Sequence, residues 1–221
     1  MNTHEIRVTG DGSKTIFLPE LNETYHSSNG AVQESLHIFI QNGLDLVKKK
    51  GPIRILEVGF GTGLNAFLSA SWAEKNNQPI HYIGIEAKPL PPELCFQLDY
   101  PRHIGQNTEK IYDELIHCDW EIENQLSPHF SIHKKEMKIQ DFVTEEPTDL
   151  IYFDAFGPRV QSEMWDITIL DKMFQSLNSG GSLVTYCAQG QFKRDLKAVG
   201  FSLESLPGPP GKREMTRATR I

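Results

Sequence analysis

Residues 152–158, YFDAFGP, end an apolar run with a carboxylate and follow it with a stiff Gly-Pro turn. The LIYF that precedes Asp154 reads as a strand, and Gly157-Pro158 prevents simple continuation of a strand or helix. Asp154 is therefore expected at a strand end, on a rigid loop, with Phe156 beside it. Rigidly held strand ends are where α/β proteins keep their chemistry. A carboxylate there can orient an amine and accept or relay its proton, and Phe156 can stack on a flat base. The plainer reading is a capping Asp with Phe156 in the core.

A second chemical signature lies upstream in ILEVGFGTGLNAFL, residues 55–68. A strand runs into Gly59-Phe60-Gly61-Thr62-Gly63, and a helix follows. Glycines there let the backbone pass close to a ligand, at the first crossover of a doubly wound sheet. A dinucleotide fingerprint, G-x-G-x-x-G, would need its third glycine at position 64, where this chain has Leu64. Glu57 sits at the strand end just before the loop. It would repel a pyrophosphate and attract the ammonium of an amino acid. The loop thus favours S-adenosylmethionine, released as S-adenosylhomocysteine, and disfavours a nicotinamide-dependent oxidoreductase. Glu86 ends the next strand and can accept both ribose hydroxyls. Asp141, in KIQDFV, can accept from an adenine amino group or act as a turn cap.

Methyl transfer to nitrogen is an in-line displacement on a sulfonium, and the protein must align the nucleophile and keep its lone pair free. In a methyltransferase-type sheet the fourth strand lies beside the first, so Asp154 would face the activated methyl group.

These residues require elements to hold them. HEIRVTGDGSKTIFLP reads as a hairpin, and the apolar spacing of Val32, Leu36, Phe39, Ile40, Leu44 and Val47 predicts one helix that ends near Lys48–Lys50. Strands are expected at 53–58, 80–86, 130–137, 148–154 and 182–187, with helices at 64–75, 163–178 and 191–200. Residues 91–125 read as two or three helices. FSLESLP and REMTRATRI close the chain as an antiparallel pair around PGPPG. The alternation predicts an α/β fold whose mostly parallel sheet is covered on both faces.

The chain's 221 residues, 38% hydrophobic and 10% aromatic, suffice for one domain with a full core. It has no apolar run long enough for a membrane helix and no signal-peptide core at its start. Three cysteines without C-x-x-C predict reduced thiols in a cytoplasmic protein, and the eight histidines show no metal spacing. Net charge is −7, but residues 193–221 carry +4, with seven Lys/Arg against three acids. That end is either a phosphate-binding patch or a solvated surface. No obligate protein partner is evident, and a monomer is expected.

ETYHSSNGAVQES, LEVGFGTGLNAFL, YFDAFGPRVQSEMW and GPPGKREMTRA together resemble the methyltransferase family that completes 5-methylaminomethyl-2-thiouridine at the tRNA wobble position. The resemblance implies a Rossmann-like fold with a seven-stranded sheet, an antiparallel C-terminal strand and an N-terminal hairpin/helix extension. Residues 1–221 would form one domain, with 1–50 covering the cofactor site and 51–221 as the catalytic core. The implied reaction is N-methylation of 5-aminomethyl-2-thiouridine in tRNA. Glu57, Gly59, Phe60, Gly61, Gly63, Glu86, Asp141 and Asp154 would hold S-adenosylmethionine, covered by Tyr25, Ser28, Asn29 and Glu34. Asp154 and Phe156 would carry the chemistry, Phe156 and Pro158 would shape the base pocket, and Lys212 and Arg213 would meet tRNA. No metal or flavin is implied, and no oxidase fingerprint accompanies the motifs, so a separate enzyme would supply the aminomethyl-uridine. The alternative is an S-adenosylmethionine-dependent N-methyltransferase acting on a small-molecule amine.

Overall fold

The computed structural model describes residues 4–105 and 108–221. An antiparallel three-stranded sheet opens the chain: β1 (Glu5–Val8), β2 (Lys14–Leu18) and β3 (Glu23–Thr24). Helix α1 (Ala31–Ser35) follows and passes into a π-helical turn, Leu36–Gln41, and a 3-10 turn, Leu44–Leu46. The single helix expected here is thus broken. The amide of Asn42 donates to the carbonyl of His37, five residues back, which underwinds the helix. Gly43 then lets the chain approach closely, since a Cβ there would strike the Phe39 carbonyl oxygen. Lys48–Lys50 fall beyond these turns and do not cap a helix.

The remaining elements alternate: β4 (Ile53–Val58), α2 (Leu64–Asn76), β5 (Ile80–Glu86), α3 (Pro92–Phe96), α4 (Pro101–Ile104), α5 (Glu109–His117), β6 (Glu123–Ser127), β7 (Phe130–Glu136) and β8 (Thr148–Phe153). A 3-10 turn, Ser162–Trp165, leads to α6 (Ile167–Ser176), β9 (Leu177–Thr185), α7 (Gly190–Val199), β10 (Phe201–Pro207) and β11 (Glu214–Arg220). The central sheet has the order β10-β11-β9-β8-β4-β5-β7-β6. Its five middle strands are parallel, while β11 runs antiparallel to both β9 and β10. This is the Rossmann-like arrangement expected, with one difference: the sheet has eight strands, not seven. The extra one, β6, pairs antiparallel with β7 at the edge. Its sequence, ENQLS, lacks the apolar alternation that announces a strand.

The helix expected over 163–178 is shorter. It ends at Ser176, and β9 begins at once. Thr148 pairs with Leu177 and Leu150 with Ser182, so Asn178–Gly181 loop out as a bulge. Gly180-Gly181 therefore form a bulge within the strand and do not terminate the helix.

Strand alternation divides the core between the sheet faces. Ile53 and Ile55 pack with Leu64, Phe67, Tyr82 and Tyr152, in a cluster that continues into Ile16, Leu18, Ile38 and Phe39 of the N-terminal elements. Leu56 and Val58 pack with Ile151, Phe153, Leu170 and Met173 on the other face. Glu57 shares its face with Ile55, and that places it toward α2.

Candidate active site

A cavity of about 940 Å³ opens at the carboxyl ends of β4, β5, β7 and β8. Its floor is the glycine loop. Gly59, Gly61 and Gly63 all have positive φ, and the amides of Gly59 and Phe60 both donate to the Ile85 carbonyl at 3.0 Å. A Cβ on Gly59 would lie 2.8 Å from the Asp154 carbonyl oxygen. Adjacent parallel strands therefore bring the loop and the acidic tip into direct contact, as the two motifs required. A Cβ on Gly61 would lie 3.1 Å from the Tyr25 ring, so the N-terminal segment presses on the same loop from above.

Glu86 lines the cavity, and its carboxylate accepts from the Gly61 amide at 3.0 Å and the Lys88 amide at 2.9 Å. Burial raises its pKa, while those amides oppose the rise. Asp154 also faces the cavity. Burial pushes its carboxyl up to about 7, against the lowering effect of a hydrogen bond from Asn65. Glu34 adds to the rise and Lys212 opposes it.

The acidic loop is held from several sides. Gln161 accepts from the Phe156 amide at 3.0 Å, and the Trp165 indole donates to the Phe156 carbonyl at 2.8 Å. The Tyr186 hydroxyl donates to the Ala155 carbonyl at 2.7 Å. Phe156 meets Tyr25 edge to face, with centroids 5.0 Å apart. The two rings bound an aromatic slot beside Asp154.

Residues Glu23–Asn29, Glu34, Gly211 and Lys212 form the roof. The Asn29 side chain packs on Gly211, where a Cβ would meet its amide. The Lys212 ammonium pairs with Glu34 at 2.6 Å and sits 4.1 Å from the centroid of the Tyr186 ring.

Tyr25, Ser28, Asn29, Glu34, Gly59, Gly61, Glu86, Asp141, Asp154, Phe156 and Lys212 thus line one cavity. Five expected residues lie off it, Arg213 among them. Glu57 is fully buried, and its Oε1 accepts from the Asn65 amide at 2.9 Å. Phe60 turns into the core against Gly84 and Trp120, so its side chain is packing. Gly63 backs onto Leu115 and Ile116. Pro158 begins the turn after the loop and does not line the cavity.

At the basic C-terminal end several cations have partners. Lys193 pairs with Glu214, Arg217 with Glu204 and Lys212 with Glu34. Arg220 donates to the carbonyls of Phe174, Gln175 and Leu177, at the end of α6. Lys212 consequently points inward and is not a phosphate-facing cation, whereas Arg213 is exposed outside the cavity. Solvent-exposed Lys88 and Lys138 stand on the cavity wall instead.

Two further residues escaped the sequence reading. Asn65, one position into α2, donates at 2.8 Å to Asp154 as well as to Glu57. His26 lines the roof, with Nε2 2.7 Å from the Thr62 hydroxyl; burial lowers its pKa to about 4. Both lie inside the quoted segments, His26 in ETYHSSNGAVQES and Asn65 in LEVGFGTGLNAFL, but nothing in their type or spacing singled them out. Among the described residues no group of three or more His, Cys, Asp or Glu side chains is placed to hold a metal, and no helix is long and apolar enough to cross a membrane.

A family described as S-adenosyl-L-methionine-dependent methyltransferase matches residues 120–221. The tRNA 5-methylaminomethyl-2-thiouridine biosynthesis bifunctional protein MnmC of Cupriavidus metallidurans is 30% identical over 96% of this chain and 33% of its own length. The protein of the same name from Cupriavidus necator is 28% identical over 92% of this chain and 32% of its own length. The chain thus spans about a third of the length of these curated relatives. The crystal structure of MnmC2 from Aquifex aeolicus superposes with a TM-score of 0.81 at 26% identity, covering 100% of this chain and 71% of that one.

Proposed function

We propose that this chain is a methyltransferase of the family represented in MnmC, and that it transfers a methyl group from S-adenosylmethionine to the amino nitrogen of 5-aminomethyl-2-thiouridine at the tRNA wobble position. The observation that carries this reading is the contact between the glycine loop and the acidic tip, with the Asp154 carboxyl facing the shared cavity.

The cavity fits such a donor. Gly59 and Gly61 line it, their bare backbone letting the Asp154 loop and the Tyr25 ring close on the glycine loop, while Glu86 stands at the end of β5 and Asp141 lines the wall. In this proposal Gly59, Gly61, Glu86 and Asp141 hold the donor, and Tyr25, Ser28, Asn29 and Glu34 cover it. When bound, S-adenosylmethionine supplies a methyl group activated by its sulfonium and leaves as S-adenosylhomocysteine.

The acceptor amine is mostly protonated at neutral pH and must lose a proton before it attacks. Asp154, with its carboxyl poised at about 7, accepts that proton and orients the freed lone pair. A donor bound there would give up its methyl group as its S–C bond broke and the N–C bond formed, the positive charge passing to the new secondary amine that Asp154 faces. Phe156 and Tyr25 bound the slot for the pyrimidine, and Lys212 faces it from the roof. An earlier reaction, by a separate enzyme in this proposal, installs the aminomethyl group. With tRNA as substrate, the place of work is the cytoplasm.

Labelled S-adenosylmethionine and tRNA from cells lacking this methylation test the proposal. Nucleoside analysis should find the label on the wobble uridine. If tRNA stays unlabelled while a small amine accepts the methyl group, the small-amine reading replaces it.

A further inference from the structure

The Asp154 carboxyl is not positioned by its own loop alone. Asn65 is 2% exposed, and its Nδ2 donates at 2.8 Å to Asp154 Oδ2 and at 2.9 Å to Glu57 Oε1. One neutral amide thus joins two carboxyl groups from neighbouring strands. Asn65 Oδ1 and Glu57 Oε2 are both buried without a hydrogen-bond partner. An amide has two N–H donors, and here they face the two carboxyl groups.

We propose that Asn65 is a positioning residue, which fixes the Asp154 carboxyl toward the acceptor with Glu57 as its buried anchor. This rests on the functional reading above for what Asp154 does, but the positioning itself is a property of the folded chain.

The two carboxyl groups then have different tasks. Glu57 is fully buried, and an ionised carboxylate with an orphan oxygen there would carry a large desolvation cost. Burial accordingly pushes its carboxyl well above the ordinary range, Asn65 and Tyr82 oppose the rise, and Asp154 and Glu86 add to it. Glu57 therefore stays neutral and accepts from the amide through one oxygen. Asp154 faces the cavity, so it is the member of the pair that ionises. The other groups that act on it are Glu34 from α1, Lys212 from the β10–β11 turn and the Tyr186 hydroxyl after β9. A hydrogen bond donated to the ionised form favours that form. Removing Asn65 should thus make Asp154 harder to deprotonate and free it to rotate.

The test uses the full chain with 13C-labelled Asp and Glu side chains and follows the Asp154 carboxyl by NMR across pH. The wild-type midpoint should lie near 7. In Asn65→Ala it should move upward by about one pH unit, the effect of one hydrogen bond to a charged group. Asn65→Ser should behave alike, because its shorter side chain cannot span both carboxyl groups, and it serves if the alanine variant fails to fold. Glu57→Gln should leave the Asp154 midpoint in place, since it replaces one neutral group by another. In methyl transfer, Asn65→Ala should lower kcat more than it raises KM for tRNA, and its pH–rate profile should shift in the same alkaline direction.

An unmoved midpoint in both Asn65 variants overturns the proposal. So does a fall in the Glu57→Gln midpoint, which would reveal Glu57 as a charged neighbour. The titration needs no methyl acceptor. A wild-type protein that titrates as expected but leaves tRNA unmethylated would refute the functional reading and leave the positioning role standing.

Discussion

In the proposed reaction Asp154 meets two opposing demands: burial that excludes water from the acceptor amine, and ionisation near neutral pH. Burial raises its carboxyl from 3.8 to about 7, and the hydrogen bond from Asn65 limits the rise. Only the ionised form accepts a proton, so kcat/KM should fall roughly tenfold per pH unit below about 7. Asp154→Ala should cost about two orders of magnitude or more in methylation while binding of S-adenosylmethionine stays nearly intact. Isothermal titration and single-turnover rates separate the two effects, and equal losses would make Asp154 structural. Stability has the opposite pH dependence. The folded-state value lies above the unfolded one, so this group's contribution is full below about pH 4 and is lost as pH rises through about 7. Urea melts of Asp154→Asn should lack that slope.

At the scale of elements, the site depends on how closely β4 and β8 approach at their carboxyl ends. Ile55 to Val58 pair in parallel with Leu150 to Phe153, and the Asp154 amide then donates to the Val58 carbonyl at 2.9 Å. Gly59 closes this contact at φ 89°, where any side chain would be strained and would strike the Asp154 carbonyl. Gly59→Ala should destabilise the fold by about 1–3 kcal/mol. It should also weaken S-adenosylmethionine binding, because the shift displaces floor and acid together; thermal melts with and without S-adenosylhomocysteine would register both. Not every cation among these elements is functional. Lys134, 1% exposed, donates to the carbonyls of Leu115 and Ile116 at the end of α5. It satisfies helix-end acceptors that would otherwise be buried unpaired.

Over the whole molecule, the proposed reaction brings an acidic protein against a polyanion. Net charge is −7, and ion pairs or helix-end carbonyls occupy Lys193, Lys212, Arg217 and Arg220. Lys88 and Lys138 on the cavity wall, together with exposed Arg213, remain as the cations best placed for phosphate. Fluorescence anisotropy with tRNA across a KCl series should therefore show a shallow salt dependence. Arg213→Ala should reduce its slope by about 0.7–0.9, the loss of one phosphate contact. Arg217→Ala, which removes a cation already paired with Glu204, should leave the slope unchanged.

The sequence by itself determined the strand-helix alternation, the glycine loop, the acid at the strand tip and the aromatic beside it, because these are local: turn chemistry and apolar periodicity act over a few residues. It also marked Glu86, Asp141 and Tyr25, all of which line the one cavity. It did not announce β6, a polar edge strand that exists through its pairing with β7, or the break in the helix after Ser35. Nor could it tell a free cation from a paired one: Lys212 and Arg213 are adjacent in the chain, yet one turns inward to Glu34 and the other faces solvent. Only the tertiary structure decided that Glu57 acts behind the cavity wall and that Asn65 links it to Asp154. That contact joins residues 89 positions apart, and two neighbouring strands and the helix packed on them bring it about.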